Sequence, residues 1–233
     1  MSKISIIIPT LNEEAHIKLL LNHLLKNAEK ENISEIIIVD GGSHDKTIET
    51  VKSFSQTTLI RSGKGRAKQM NHGVKYASGD ILYFLHADSF PPKNFDQLII
   101  NEVEKSNNAG CFKMKFNSKH WWLKLAGWFT QFSWKIGRGG DQSLFITKLL
   151  FNKIGGFDER YAIYEDNDFI SKLYKQKEFV VIQKWITTSP RCYETNGIWK
   201  LQYHYWTIHL KKWLGADANT LNNYYLKYIH VKK

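Results

Sequence analysis

Two apolar runs in the N-terminal part of the chain each end on a carboxylate. Ile36-Ile37-Ile38-Val39 leads into Asp40-Gly41-Gly42-Ser43, and Ile81-Leu82-Tyr83-Phe84-Leu85 leads into His86-Ala87-Asp88. Continuous β-branched and aliphatic runs mark strands buried on both faces of a parallel sheet. Ligands of open α/β sheets sit outside the carboxyl ends of such strands. A carboxylate placed there can accept hydrogen bonds from a base or from ribose hydroxyls. It can also offer oxygen to Mg2+ or Mn2+, which in turn bridges a diphosphate. The pair therefore suggests a site for a nucleotide and a metal ion.

Three other stretches carry residues of the same kind. Pro9-Thr10-Leu11-Asn12-Glu13-Glu14 closes the first strand. Gly65-Arg66-Ala67-Lys68-Gln69-Met70-Asn71 opens a helix. Helix N-termini attract phosphate and Arg66 adds a fork of donors, although a solvated basic turn has the same composition. Tyr164-Glu165-Asp166-Asn167-Asp168 opens another helix, where acids also suit the macrodipole. A catalytic base needs one of them to face a substrate hydroxyl. Asp45 reads equally as the cap of the helix after Gly41-Gly42.

These residues need a scaffold, and the periodicity supplies one. Strands are predicted over residues 4–8, 35–39, 57–61 and 80–85. Between them fall a helix over 14–30 capped by Asn12, a short helix with Ile48, Val51 and Phe54, and a helix over 66–77. Such alternation marks a parallel-sheet α/β domain. After Pro91-Pro92 the pattern changes to a helix with Phe95, Leu98, Ile99 and Val103. Residues 111–116 alternate Phe112, Met114 and Phe116 with Lys113 and Lys115, which predicts a half-exposed antiparallel strand. Strands over 143–146 and 179–182, and helices over 166–177, 198–212 and 221–229, complete the expectation. No repeat or linker splits the chain.

The 233 residues are 42% apolar and 14% aromatic, enough for a real core. Thirty-three basic against 22 acidic residues give a net charge of +11. That charge suits nucleic acid, phospholipid headgroups or phosphorylated substrates, or only solubility. With eight tryptophans it raises a nucleic-acid reading. Trp121, Leu125, Trp128 and Phe132, however, fall at helical core spacing, so core packing is expected and nucleic acid is not. Cys111 and Cys192 have no metal-like spacing and fit reduced thiols. Met1-Ser2-Lys3-Ile4 runs into a strand without a signal-peptide layout, and no run approaches a membrane span. A cytoplasmic protein is expected. Trp199, Tyr203, Trp206, Leu210 and Trp213 form a stripe beside Lys200, Lys211 and Lys212. It suits packing on the domain, a homodimer interface, or peripheral contact with the inner membrane face.

The order of the motifs resembles the inverting family 2 glycosyltransferases of GT-A fold. The resemblance rests on Ile6-Ile7-Ile8-Pro9-Thr10-Leu11-Asn12-Glu13, on Val39-Asp40-Gly41-Gly42-Ser43 with Asp45 and Thr47, and on Gly79-Asp80-Ile81. It continues through His86-Ala87-Asp88, Gly155-Gly156-Phe157 and Glu165-Asp166. The wording at residues 65–71 and 84–88 is similar to a bacterial subgroup associated with radical-SAM and selenium-domain proteins, some labelled arsenosugar biosynthesis enzymes.

The resemblance implies a GT-A domain over residues 1–190, with a mixed sheet flanked by helices. Residues 191–233 would form an aromatic, basic helical segment packed on it. It implies a UDP- or GDP-sugar donor and an acceptor hydroxyl. Asp40 would contact the base, with Pro9, Asn12 and Glu13 lining the pocket and Arg66 near the nucleotide. Asp88 corresponds to the last acid of the family's Asp-x-Asp metal motif, with His86 in place of the first, and would hold Mn2+ or Mg2+. Asp166, paired with Glu165, would be the general base. Asp141 and Gln142 would lie on the acceptor side, with Arg191 approaching the diphosphate. A nucleotide-sugar-binding protein without transferase activity is the alternative, against which the Glu165-Asp166 pair speaks.

Overall fold

The computed structural model describes residues 2–134, 138–177 and 179–229. One eight-stranded sheet runs in the order β3-β2-β1-β4-β7-β6-β8-β5. Its strands are β1 (Ile4–Thr10), β2 (Ile33–Asp40), β3 (Thr57–Arg61), β4 (Ile81–Phe84), β5 (Ser89–Phe90), β6 (Ala109–Phe116), β7 (Leu144–Thr147) and β8 (Phe179–Thr188). The first four are mutually parallel. β7 then runs antiparallel to β4. The chain leaves β1 on one side toward β2 and β3 and returns on the other at β4. That reversal opens a crevice at the carboxyl ends of β1 and β4.

Side-chain alternation explains why both faces are covered. Ile4, Ile6 and Ile8 of β1, Ile36 and Ile38 of β2, and Ile81 and Tyr83 of β4 enter one core. That core is shared with Ile17, Leu20, Leu21 and Leu24 of α1 (Glu14–Asn27), Val51 of α2 (Thr47–Lys52), and Phe95 and Ile99 of α4 (Phe95–Glu104). The intervening Ile7, Ile37, Val39, Leu82 and Phe84 enter the other. There they meet Ala67, Met70 and Val74 of α3 (Arg66–Val74), Leu150 and Phe151 of α6 (Lys148–Ile154), and Phe169 and Leu173 of α7 (Glu165–Gln176). Gly73 permits the close approach of α3. A Cβ there would stand 2.6 Å from Ile7 Cγ2.

A third cluster joins Leu123 of α5 (Trp121–Phe129) and Tyr193 of α8 (Arg191–Asn196) to Leu201 and Ile208 of α9 (Ile198–Trp213). Leu221 of α10 (Ala218–Tyr228) completes it. No helix among the described residues is long and apolar enough to cross a membrane.

Several expectations change. β6 is not simply antiparallel: it pairs with β7 that way at two positions but runs parallel to β8 over eight. Its half-exposure stands, with Lys113 Nζ 4.3 Å over the Trp185 ring. β8 extends through Gln183-Lys184-Trp185 because the register slips between Phe112 and Lys113, which hides its alternation. Asn12 does not cap α1. It takes a left-handed conformation, φ 55°, and spends its side chain on the neighbouring loop. Trp121, Leu125 and Trp128 face outward rather than into the core, while Leu123 and Gly127 between them are buried. The short elements α6, α8 and β5 carry too few residues to show a period.

Candidate active site

Two loops at the carboxyl ends of β1 and β2 are stitched together. The Asn12 N–H donates to Ser43 Oγ at 2.9 Å, and Asn12 Oδ1 accepts from the His44 N–H at 2.9 Å. The Glu13 N–H donates to Thr47 Oγ1 at 2.8 Å. Asp45 accepts from the Thr47 N–H at 2.9 Å and from the Glu14 N–H at 3.1 Å, so it serves the start of both helices. Asp40 is buried and accepts from the N–H groups of Gly42 and Ser43 at 2.9 and 3.1 Å. Gly42 makes this tight return possible with φ 99°. A carboxylate has about four acceptor sites, so Asp40 retains capacity for a ligand N–H or O–H. Pro9 lies in β1 opposite Val39, under the same loops.

Three ion-pair groups converge beyond this floor. Arg191, the first residue of α8, forks onto Glu13, with Nη1 to Oε2 at 2.7 Å and Nη2 to Oε1 at 2.6 Å. Its Nε lies 2.9 Å from Asp88 Oδ2. One guanidinium thus ties the end of β1 to the loop after β4. Burial raises the Asp88 pKa, Arg191 pulls it back, and the nearby Asp141 charge adds to the rise.

His86 forms the second group. Its Nδ1 lies 3.2 Å from Asp141 Oδ1 and its Nε2 lies 3.8 Å from Asp166 Oδ2. Burial works against the imidazolium, but the hydrogen bond to Asp141 and the Asp166 charge leave the His86 pKa raised. The same hydrogen bond holds Asp141 below its ordinary value against desolvation.

The third group is Arg66 and Glu165. Arg66 Nε approaches Glu165 Oε1 to 2.9 Å, without the alignment of a hydrogen bond, and neither carboxylate oxygen has a hydrogen-bond partner. Burial pushes the Glu165 pKa up to about 7, and the Arg66 charge pulls the other way. In return Glu165 holds the guanidinium firmly protonated.

Glu13, Arg66, Asp88, Asp141, Arg191, His86, Glu165 and Asp166 thus fall into three paired groups, close enough that Asp141 acts on Asp88 and Asp166 on Arg66. Gln142 is not among them. It is buried, and its Oε1 accepts from Arg138 Nη1 at 2.5 Å and from Cys111 Sγ at 3.4 Å. Arg138 also donates to the carbonyls of Thr130 and Phe132, and its own carbonyl accepts from Asn167 Nδ2 at 2.6 Å.

Sequence reasoning passed over two supports inside the Gly65 motif. Gln69 Nε2 donates to the carbonyls of Thr10 and Val39 at 2.8 and 2.7 Å, locking the ends of β1 and β2. Asn71 pairs with both the N–H and the carbonyl of Phe157. The available signal was a polar residue on the buried face of a helical pattern.

Among the described residues no three His, Cys, Asp or Glu side chains form a ready-made metal cage. The donor chemistry still fits a divalent ion. Asp88 and Asp141 are hard carboxylates that repel one another beside an imidazole. Mg2+ and Mn2+ commonly take one or two carboxylates and complete their shell with phosphate and water.

Residues 5–170 match the model of Glycosyl transferase family 2. The chain belongs to that family. Among family relatives, the probable glycosyltransferase YdaM of Bacillus subtilis (strain 168) is 26% identical over 199 residues, covering 75% of this chain and 47% of YdaM. Staphylococcus aureus TarS residues 1–349, solved in complex with UDP-GlcNAc, superposes with TM-score 0.64 at 21% identity, over 80% of this chain and 58% of that one. The mannosyltransferase PcManGT of Pyrobaculum calidifontis, solved with GDP-Man and Mn2+, gives TM-score 0.65 at 18% identity, over 97% and 70%. These neighbours share the GT-A type architecture, a mixed sheet flanked by helices. The family 2 chain described here spans less than two thirds of the length of YdaM and TarS.

Proposed function

We propose that this family 2 protein is an inverting glycosyltransferase that moves a sugar from a UDP- or GDP-sugar to an acceptor hydroxyl. The observation that carries the reading is His86. It spans Asp141 and Asp166, and so joins the end of β4, where donors of this architecture bind, to the helix start that carries Asp166. In this reading Asp40 accepts from the base or ribose, within the loops that Pro9, Asn12 and Glu13 shape. Arg66 and Arg191 face the diphosphate. Asp166 removes the acceptor proton as the hydroxyl attacks the anomeric carbon, and a single displacement inverts the configuration. Glu165 positions Arg66.

Asp88, with His86 and Asp141 nearby, would hold Mg2+ or Mn2+, whose charge offsets that growing on the departing nucleotide. Residues 1–190 would form the transferase unit, and the helices between residues 191 and 228 a segment that lends Arg191 to the site; residues 230–233 of the expected segment lie outside the described residues. The wording at residues 65–71 and 84–88 supports membership of the radical-SAM and selenium-domain-associated subgroup.

The test is a thermal-shift screen of UDP, GDP and their sugars with and without Mn2+, followed by turnover with the donor that binds. Asp166→Asn should abolish transfer and keep donor affinity nearly unchanged. No shift with any nucleotide sugar, or wild-type turnover by that variant, would overturn the assignment.

A further inference from the structure

The aromatic stripe of α9 is only partly covered: it touches α5 along one edge and leaves most of its outer face exposed. Leu201, His204 and Ile208 are its buried side, whereas Trp199, Tyr203, Trp206, Leu210 and Trp213 face outward. Trp199 and Trp206 are 53% and 55% exposed, and Trp213 is 81% exposed. The outward face of α5 continues the surface. Trp121, 59% exposed, meets Trp199 with ring centroids 5.8 Å apart, and Trp122 bridges to Trp199 and Trp206 at 5.2 and 6.1 Å. Leu125 and Trp128 extend it along α5. A contiguous exposed apolar surface of this kind calls for a partner.

Charge selects the partner. Residues 117–134 and 195–216 contain five lysines, Lys119, Lys124, Lys200, Lys211 and Lys212, and no aspartate or glutamate. Lys119, Lys124 and Lys200 are exposed. A two-fold dimer through this face would set the patch against itself, lysine facing lysine with no acid to answer. An anionic bilayer answers both properties: tryptophan and tyrosine settle at the headgroup level while lysines meet lipid phosphate. The leucines among the rings suit acyl chains and give bases nothing to stack on.

We propose that the joined outer faces of α5 and α9 form a docking surface for anionic lipid bilayers. α9 also touches the element that carries the base. Tyr164, which precedes Glu165, lies with its hydroxyl 3.4 Å from His209 Nδ1. Resting on the transferase reading, this places the site beside a membrane and selects acceptors whose hydroxyl is carried on a lipid.

The experiment uses the full chain with phosphatidylcholine vesicles, with and without phosphatidylglycerol, read by flotation and by tryptophan emission. It needs no donor, so its failure is distinct from failure of the transferase reading. The chain should float with phosphatidylglycerol vesicles, shift its emission to the blue, and ignore pure phosphatidylcholine. Trp206→Glu with Leu210→Glu should abolish flotation without moving the unfolding midpoint. Lys200→Ala, at an exposed position that keeps the fold, should weaken partitioning about fivefold. Absence of binding to the anionic vesicles, or full binding by these variants, overturns the proposal. So does a dimer that the Trp206→Glu, Leu210→Glu variant dissociates in the absence of any vesicle binding. Capture of a single-stranded oligonucleotide in preference to vesicles overturns it as well.

Discussion

Glu165 offers a measurable consequence of its burial. Its ordinary value of 4.5 rises to about 7 because the carboxylate loses water and finds no hydrogen bond, with Arg66 only partly compensating. The folded pKa lies above the unfolded one, so between these values the folded chain binds more protons. Its contribution to stability is complete below about pH 4.5 and disappears as pH rises through about 7. At roughly 1.4 kcal/mol per pH unit the loss is on the order of 3 kcal/mol by pH 8. Glu165→Gln keeps the shape and removes the titration. Urea unfolding of both proteins at steps from pH 5 to 8, followed by tryptophan fluorescence, should show near-equal stability at the acid end. The variant should lead by about 2–3 kcal/mol at the alkaline end. Arg66→Met removes the charge that restrains Glu165, so its stability loss should begin at the same pH and continue to higher pH than in the wild type. A difference between wild type and Glu165→Gln that stays flat across this range would refute the buried, unsatisfied placement of Glu165.

Other perturbations follow from single contacts. Gln69→Leu fills the same space but loses two buried hydrogen bonds, and should cost about 1–3 kcal/mol in unfolding free energy while weakening donor binding through the slackened β1 and β2 ends. Gly73→Ala raises helix propensity by up to about 1 kcal/mol. Its Cβ nonetheless meets Ile7 Cγ2 at 2.6 Å, so the net effect should be a loss of about 1–2 kcal/mol, read as a lower melting temperature. Arg191→Lys cannot reproduce the fork onto Glu13, and donor KM should rise about tenfold with melting temperature nearly unchanged.

The four parallel strands and their helices were legible because each side-chain set repeats with a clean period and both sheet faces are apolar. The carboxylates were legible because they stand where such strands end. What escaped notice had no period to read. The second half of β8, after the predicted residues 179–182, hides behind a register slip at Phe112 and Lys113, and α6, α8 and β5 are too short. Gln69 and Asn71 hold backbone. Their partners Thr10, Val39 and Phe157 lie far away in sequence and become neighbours only through the fold. The outward face of α5 was misread for the opposite reason. Its residues repeat as a core stripe would, and periodicity states which residues share a face without stating what covers it.

The same limit explains how a chain of net charge +11 carries an acid-rich site. Glu13, Asp88, Asp141, Glu165 and Asp166 gather at the strand ends, each within reach of Arg66, His86 or Arg191. The basic residues are in excess elsewhere, and residues 117–134 and 195–216 hold no acid at all. In the proposed reading a diphosphate would meet two guanidinium groups already held in place by carboxylates, with little side-chain freedom left to lose on binding. Lys119, Lys124 and Lys200 stand exposed beside the tryptophans, whereas Lys211 and Lys212 lie over the rings of Tyr224 and Tyr161. On the proposed readings, segregating acids to the cleft and lysines to the aromatic face would let one chain hold a small charged donor and rest on a large charged sheet with different residues. A substitution at Lys200 should then leave donor affinity alone, and one at Arg66 should leave vesicle binding alone.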